Sequence, residues 1–330
     1  MKAKRFVNMV GVTAASLSIL WIFLLIASTR SKRSRPKIEA ALLQLARAQP
    51  MPAEGEIACQ WLGVAGIKIS IGHRASPPTT LLIDPYITRH SVAELIQPID
   101  ADSTTLQKLF PAVTMILTGH SHHDHLGDIP TIARITNSVI YGSRTTCALV
   151  ESIGLKERCV EIWNGFNIAT DELSIDVFEH PHGASRFGVP FPGTVDRILS
   201  HHPYAWEMKM GGAFAYLIRV GGKKIYHQGS AGLDDQLLRR LHDLRPDIAF
   251  IGISLRQATP DFEQRLLATL NPSLVIPIHY DNFFRPLTRD ATPHVPYVDL
   301  PSFRQKTIAL LGPAAYRELT PFEIYRLSSP

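Results

Sequence analysis

The chain has 330 residues, 45% of them hydrophobic, which is ample for a packed core, so disorder is not the default expectation. Its formal charge is +5, but eight Lys or Arg and no acid fall within residues 1–37. The rest carries 26 basic against 29 acidic residues, so no basic nucleic-acid surface is expected.

Residues 7–28 contain no charge and include Leu17, Ile19, Leu20, Trp21, Ile22, Phe23, Leu24, Leu25 and Ile26. At ~1.5 Å per residue such a stretch crosses a hydrocarbon core of ~30 Å. A cleaved signal would have a shorter apolar region and a clear small-x-small site, and the sequence around Ala27 offers a poor one. Residues 1–30 are therefore read as a single-pass N-terminal anchor, which places the protein at a membrane. Lys2, Lys4 and Arg5 precede the stretch and Arg30, Lys32, Arg33, Arg35 and Lys37 follow it, so charge leaves open the side on which the rest of the chain lies. Residues 31–56 read as a linker and a short amphipathic helix near Ile38 to Arg47, and residues 57–330 as one domain.

Within that domain, β-rich runs at Ile57 to Leu62, Gly66 to Ile71 and Thr79 to Asp84 are separated by Gly and Pro. The apolar run Ala112 to Thr118 predicts a strand buried on both faces. Strands and helices then alternate: strands at Ser138 to Tyr141, Cys159 to Ile162, Leu173 to Phe178, Ala213 to Val220, Lys224 to His227, Asp247 to Ile253 and Leu274 to Ile278, with helices near Thr145 to Ile153, Asp234 to Leu241 and Phe262 to Leu270. This order predicts sheets covered by helices on their outer faces. Residues 183–212 show little period and read as a functional loop or lid, with ordinary core packing of their apolar residues as the alternative. Cys59, Cys147 and Cys159 form no C-x-x-C pair or disulfide framework, and each reads as a small buried apolar residue.

The chemistry concentrates just after the run that ends at Thr118, in His120-Ser121-His122-His123-Asp124-His125. Imidazole and carboxylate are ligands suited to zinc or iron. His120 and His122 can converge on one ion, while Asp124 and His125, further round the turn, point to a second.

This H-x-H-x-D-H run resembles the signature of the metallo-β-lactamase superfamily. Leu62-Gly63, Gly66 to Ile71 and Leu82-Ile83-Asp84-Pro85 resemble the opening hairpins of its branch containing N-acyl-phosphatidylethanolamine phospholipase D and the ascorbate-phosphate lactonases. The resemblance spans roughly residues 57–285. It implies an αββα sandwich of the metallo-β-lactamase type, preceded here by the transmembrane helix. It also implies a third histidine for the first metal, from Phe178-Glu179-His180-Pro181-His182: His180 is preferred for its nearness to the strand end, with His182 as the alternative. His279, at the end of Val275 to Ile278, is the implied last ligand of the second metal. One departure stands out, since members usually place a metal-bridging Asp where this chain has Ser230, in Gln228-Gly229-Ser230-Ala231-Gly232. A hydroxyl is a poorer bridging ligand than a carboxylate, so the second ion is expected to be the weaker one. Ser230 as a nucleophile is disfavoured because the elbow pattern needs Gly where Gln228 stands.

The metal set is thus His120, His122, Asp124, His125, His180 and His279, holding one or two Zn2+ ions, with Mn2+ or Fe2+ as alternatives. Asp124 is also assigned a catalytic role, orienting the attacking water and passing a proton. The expected function is a metal-dependent hydrolase acting on a phosphodiester or ester, including a lipid. Hydrolysis of a soluble lactone or cyclic phosphate, or a non-catalytic metal-binding role, are the alternatives. Expected partners are a small-molecule or lipid substrate and the membrane through the N-terminal helix, with no nucleic acid.

Overall fold

The computed structural model describes residues 38–289 and 293–327. The stretch read as an anchor lies outside the described residues, and among these no helix is long and apolar enough to cross a membrane.

In chain order the elements are α1 (Ala40–Ala48), β1 (Ile57–Gly63), β2 (Gly66–Ile71), β3 (Thr79–Ile83), α2 (Ser103–Leu109), β4 (Met115–Leu117) and the single turn α3 (His123–Leu126). Next come α4 (Ile129–Thr136), β5 (Val139–Gly142), α5 (Arg144–Glu151), β6 (Cys159–Glu161), β7 (Asn167–Ala169) and β8 (Leu173–His180). After a long irregular connection follow β9 (Ala213–Val220), β10 (Lys223–Gln228), α6 (Asp235–Leu241), β11 (Ile248–Gly252), α7 (Phe262–Leu270), β12 (Val275–Ile278), α8 (Leu300–Leu311) and β13 (Ile324–Leu327).

One sheet has seven strands in the order β13-β1-β2-β3-β4-β5-β6, the other six in the order β12-β11-β10-β9-β8-β7. Strand alternation explains how they pack. In β2, Ile67, Ile69 and Ile71 enter the core between the sheets with Ile175, Ile218 and Phe250, while Lys68 and Ser70 point the other way. The short β4 is buried on both faces as expected: Met115 and Leu117 join the inter-sheet core, and Ile116 packs under the helices with Leu42, Leu106, Ile132 and Leu149. Leu237, Leu266 and Phe303 bring α6, α7 and α8 into the inter-sheet cluster. Helices, sheet, sheet, helices is the expected αββα order.

One feature differs from expectation. Cys147 and Cys159 form a disulfide, with Cα atoms 5.4 Å apart, joining α5 to the start of β6; only Cys59 is a free buried thiol. The sequence signal was missing because the pairing depends on α5 crossing back onto its neighbouring strand, a tertiary contact rather than a motif. The connection from Pro181 to Gly212 forms no helix or strand and divides its apolar residues between two roles. Val195, Leu199, Ala205 and Met208 are core residues under the helices, whereas Phe187, Phe191, Ile198 and Trp206 are exposed.

Candidate metal centre

The loops that leave β3, β4, β8, β10 and β12 at their C-terminal ends meet at one edge of the sandwich. They carry Asp84, His120 to His125, His182, Ser230 and His279 respectively. Two groups of side chains form there: His120, His122 and His182, and beside them Asp124, His125 and His279, with the ligand atoms in each group within 4.8 Å of one another. His180, the residue preferred from the sequence, belongs to neither. It still lies in the β8 ladder opposite Ala213, and its Nδ1 faces the Pro181 carbonyl at 2.7 Å. The chain turns at Pro181, so the alternative, His182, is the histidine that reaches the site.

In the first group His120 Nε2 lies 2.9 Å from His122 Nδ1 and 3.2 Å from His182 Nε2. Burial holds all three imidazoles neutral, with His122 pushed down to about 4 and His182 to about 3. His182 Nδ1 faces the Gly183 carbonyl at 2.5 Å, so its proton sits there and Nε2 presents a lone pair inward. One shared proton could satisfy a single pair of nitrogens. Three nitrogens converging at contact distance fit a cation better than any hydrogen-bonding pattern.

In the second group His125 Nε2 is 3.2 Å from His279 Nε2, and Asp124 Oδ2 is 3.4 Å from the latter and 3.8 Å from the former. Burial opposes the charge on Asp124, but His125, His279 and His123 outweigh it and hold the carboxyl well below its ordinary range. Behind this group stands Asp84, a residue not singled out from the sequence as functional. It is fully buried, its Oδ2 is 2.8 Å from His125 Nδ1, and its Oδ1 accepts the Gly119 amide. A carboxylate on one ring nitrogen fixes the proton there and turns the other nitrogen, as a lone pair, toward the ligand group. Gly119 is required for this approach, because a Cβ there would stand 2.5 Å from Asp84 Oδ2.

His279 has φ +57, a left-handed conformation that costs energy in a non-glycine residue and must be imposed by its surroundings. Its amide donates to the Val64 carbonyl at 2.7 Å, and the Val64 amide donates to Asp281 Oδ1 at 2.8 Å. The other oxygen of Asp281 is paired with the fully buried Arg89. These contacts tie the β1–β2 turn to the loop after β12.

Ser230 lines the same pocket as both groups, but its Oγ accepts the Gly183 amide at 3.0 Å. Gln228 Nε2 closes the turn by donating to the carbonyls of Ser230 and Gly232. Gly232 lies so close to Pro181 that a Cβ would meet its carbonyl oxygen at 1.8 Å. The Gln-Gly-Ser-Ala-Gly segment thus braces the loop carrying His182. No residue is common to the two groups found among the described residues.

The pocket above the groups has a volume of about 230 Å3, and Phe191, Leu255, Phe283 and Phe284 contribute apolar walls. His123 also lines it; its ring lies between Tyr86 and the two Phe residues, and its buried Nε2 has no hydrogen-bond partner among the described residues. His227, by contrast, is a buried structural histidine facing the Ala65 carbonyl.

Residues 79–280 match the beta-lactamase superfamily domain. A metal-dependent hydrolase of Polynucleobacter asymbioticus is 28% identical over 245 residues, covering 72% of this chain and 78% of that protein. Another from Enterococcus faecalis is 28% identical over 216 residues, covering 64% of this chain and 82% of that protein. Among solved structures, Igni18, a metallo hydrolase from the archaeon Ignicoccus hospitalis, superposes with TM-score 0.56 at 21% identity, covering 83% of this chain and 99% of the other.

Proposed function

The chain belongs to the beta-lactamase superfamily, and from that premise we propose that it is a metal-dependent hydrolase using an activated water on a phosphodiester or ester with an apolar substituent. The observation that carries this reading is the pairing of two three-residue ligand groups at the floor of one apolar-walled pocket. His120, His122 and His182 would hold one divalent ion, and Asp124, His125 and His279 a second. Zinc suits this imidazole-rich donor set, with manganese or iron(II) as alternatives. Ions held there would act as Lewis acids and lower the pKa of a water, to ~7 in the case of zinc.

The protein's own groups do the rest. Asp124, kept ionised by the surrounding histidines, would accept a hydrogen bond from the attacking water and orient it. His123, neutral by burial, offers its unpartnered Nε2 to a substrate oxygen. Phe191, Phe283 and Phe284 exclude bulk water and receive the apolar part of the substrate. A volume of about 230 Å3 admits the reacting end of a lipid rather than a whole one.

The N-terminal apolar stretch would tether this domain to a membrane. The Cys147–Cys159 disulfide favours the oxidising side, since such bonds are rare where thiols are kept reduced.

The experiment is metal content per chain together with a screen on phosphodiester, lactone and thioester substrates, before and after chelation. Turnover that needs metal and prefers an apolar phosphodiester or ester is expected. Turnover confined to small soluble lactones or cyclic phosphates would overturn the substrate assignment, and full activity after complete metal removal would overturn the mechanism.

A further inference from the structure

A second cavity, of about 510 Å3, lies on the outer face of the first sheet, away from the metal groups. Its floor is the outward side of β1, β2 and β3: Ala58, Gln60, Lys68, Ser70 and Thr80. Strand alternation requires these positions to face away from the inter-sheet core, and at the other end of the same face Leu62 and Leu82 are covered by the helical layer. Here the cover is incomplete. The C-terminal ends of α1 and α2 stand at the two sides and leave the space between them.

The charge in this cavity is one-sided. Arg47 and Lys108 line it at the rim, Lys68 at the floor, and no Asp or Glu is among the described residues lining it. Arg47 and Lys108 have a local explanation, because each stands in the last turn of its helix, where a cation offsets the helix dipole. Lys68 has none. It sits in mid-strand, opposite Gln60 on one side and Leu82 on the other, at a position where a polar uncharged residue would serve the sheet equally well. Burial holds its ammonium below the ordinary lysine value, and no salt bridge among the described residues offsets that cost. Of the remaining walls, Met51, Pro78 and Ile324 are apolar, and Gln49 and Gln107 are polar.

We propose that this cavity binds an anionic amphiphile, its phosphate or carboxylate head held by Lys68, Arg47 and Lys108 and its apolar body lying against Met51, Pro78 and Ile324. The site is separate from the hydrolytic pocket and stands whether or not the hydrolase assignment does.

The test is calorimetric titration of the full chain in an uncharged detergent with three probes: octyl phosphate, octyl glucoside and inorganic phosphate. The same titrations are made on Lys68→Met and on Arg47→Gln with Lys108→Gln. Partition of a probe into the micelle is common to all forms and cancels between them. Wild type should bind octyl phosphate at least about tenfold more tightly than either other probe, which separates an amphiphile from a free anion. Lys68→Met should lose at least about tenfold, and the rim double variant should lose less and show a weaker salt dependence. Lys68→Met should also melt no lower than wild type without probe, since it removes a partly buried cation, yet gain less stabilisation than wild type from octyl phosphate. Equal binding of octyl phosphate by wild type and Lys68→Met would overturn the proposal. So would a wild type that binds octyl phosphate no better than octyl glucoside or inorganic phosphate.

Discussion

The two ligand groups share one pocket but are supported in different ways. The first consists of three neutral imidazoles, and its third member arrives on a loop braced by the Ser230 hydroxyl and by the close packing of Gly232 on Pro181. The second includes a carboxylate, has a buried carboxylate behind one of its histidines, and takes its last member from a strained residue locked by the Val64, Asp281 and Arg89 contacts. Ligand number is equal, so the difference lies in charge and in support. The first group relies on uncharged imidazoles held by the turn after β10; the second supplies negative charge and is held through the β1–β2 turn. Loss of a ligand should therefore be felt within its own group, because no residue belongs to both.

The strongest test removes the first group outright. His120→Ala combined with His122→Ala should abolish tight binding at that group while Asp124, His125 and His279 retain an ion. Activity should fall by roughly 10³-fold or more, given the several kcal/mol a catalytic ion contributes. Metal analysis after mild dialysis, run beside the activity assay, checks both parts, and unchanged metal content would break the comparison. Next in size is a contrast between neighbours. His182→Ala should lose one ion per chain, whereas His180→Ala should keep wild-type metal content, because its ring is engaged by the Pro181 carbonyl instead.

That contrast also marks how far the sequence could be read. The candidate ligands on the turn after β4 could be picked out because six consecutive residues put the donors on one loop, and His279 came from the family resemblance, at the end of a strand. His180 and His182 were not separable, because the choice depends on where the chain leaves the ladder, and both residues flank the same proline. Asp84 was quoted as part of a strand end but given no role: a carboxylate that acts through another side chain leaves no spacing signature. Most of the strands between Ile57 and Ile278 were legible from period and turn residues, the brief β7 being missed. The helices α2, α4 and α8 and the edge strand β13 were missed, their boundaries set by caps such as Asp102 and Asp299 and by packing onto the finished sheet. The pairing of Cys147 with Cys159 was illegible for the same reason as His182, as both depend on tertiary placement.

Support of the second group is tested by Asp84→Asn. The amide keeps the shape of the carboxylate but not its charge, so His125 loses its orienting partner. Second-site affinity should drop by about 10–100-fold, as is usual when such a partner is removed, while the first group keeps its ion. Zinc titration of the chelator-stripped protein resolves the two. An equal loss at both groups would mean that Asp84 holds the whole loop edge through Gly119 rather than the second group through His125.

The smallest effect is expected at Ser230, where the sequence departs from its family and the structure supplies a local role. The hydroxyl accepts the Gly183 amide next to His182, so Ser230→Ala leaves that amide unmatched and should cost about 0.5–1.5 kcal/mol, a severalfold weakening felt at the first group. Ser230→Asp acts differently, since a carboxylate can still accept from Gly183 and also adds negative charge to the pocket that both groups line. It should leave the first ion nearly unchanged and tighten the second, whose present ligands include one carboxylate and none shared with the first group. Titration of zinc into the stripped wild type and both variants separates the two roles. Equal, tight binding of two ions by wild type would show that no bridging charge is needed, and a failure of Ser230→Asp to tighten the second ion would place the serine outside the reach of that group.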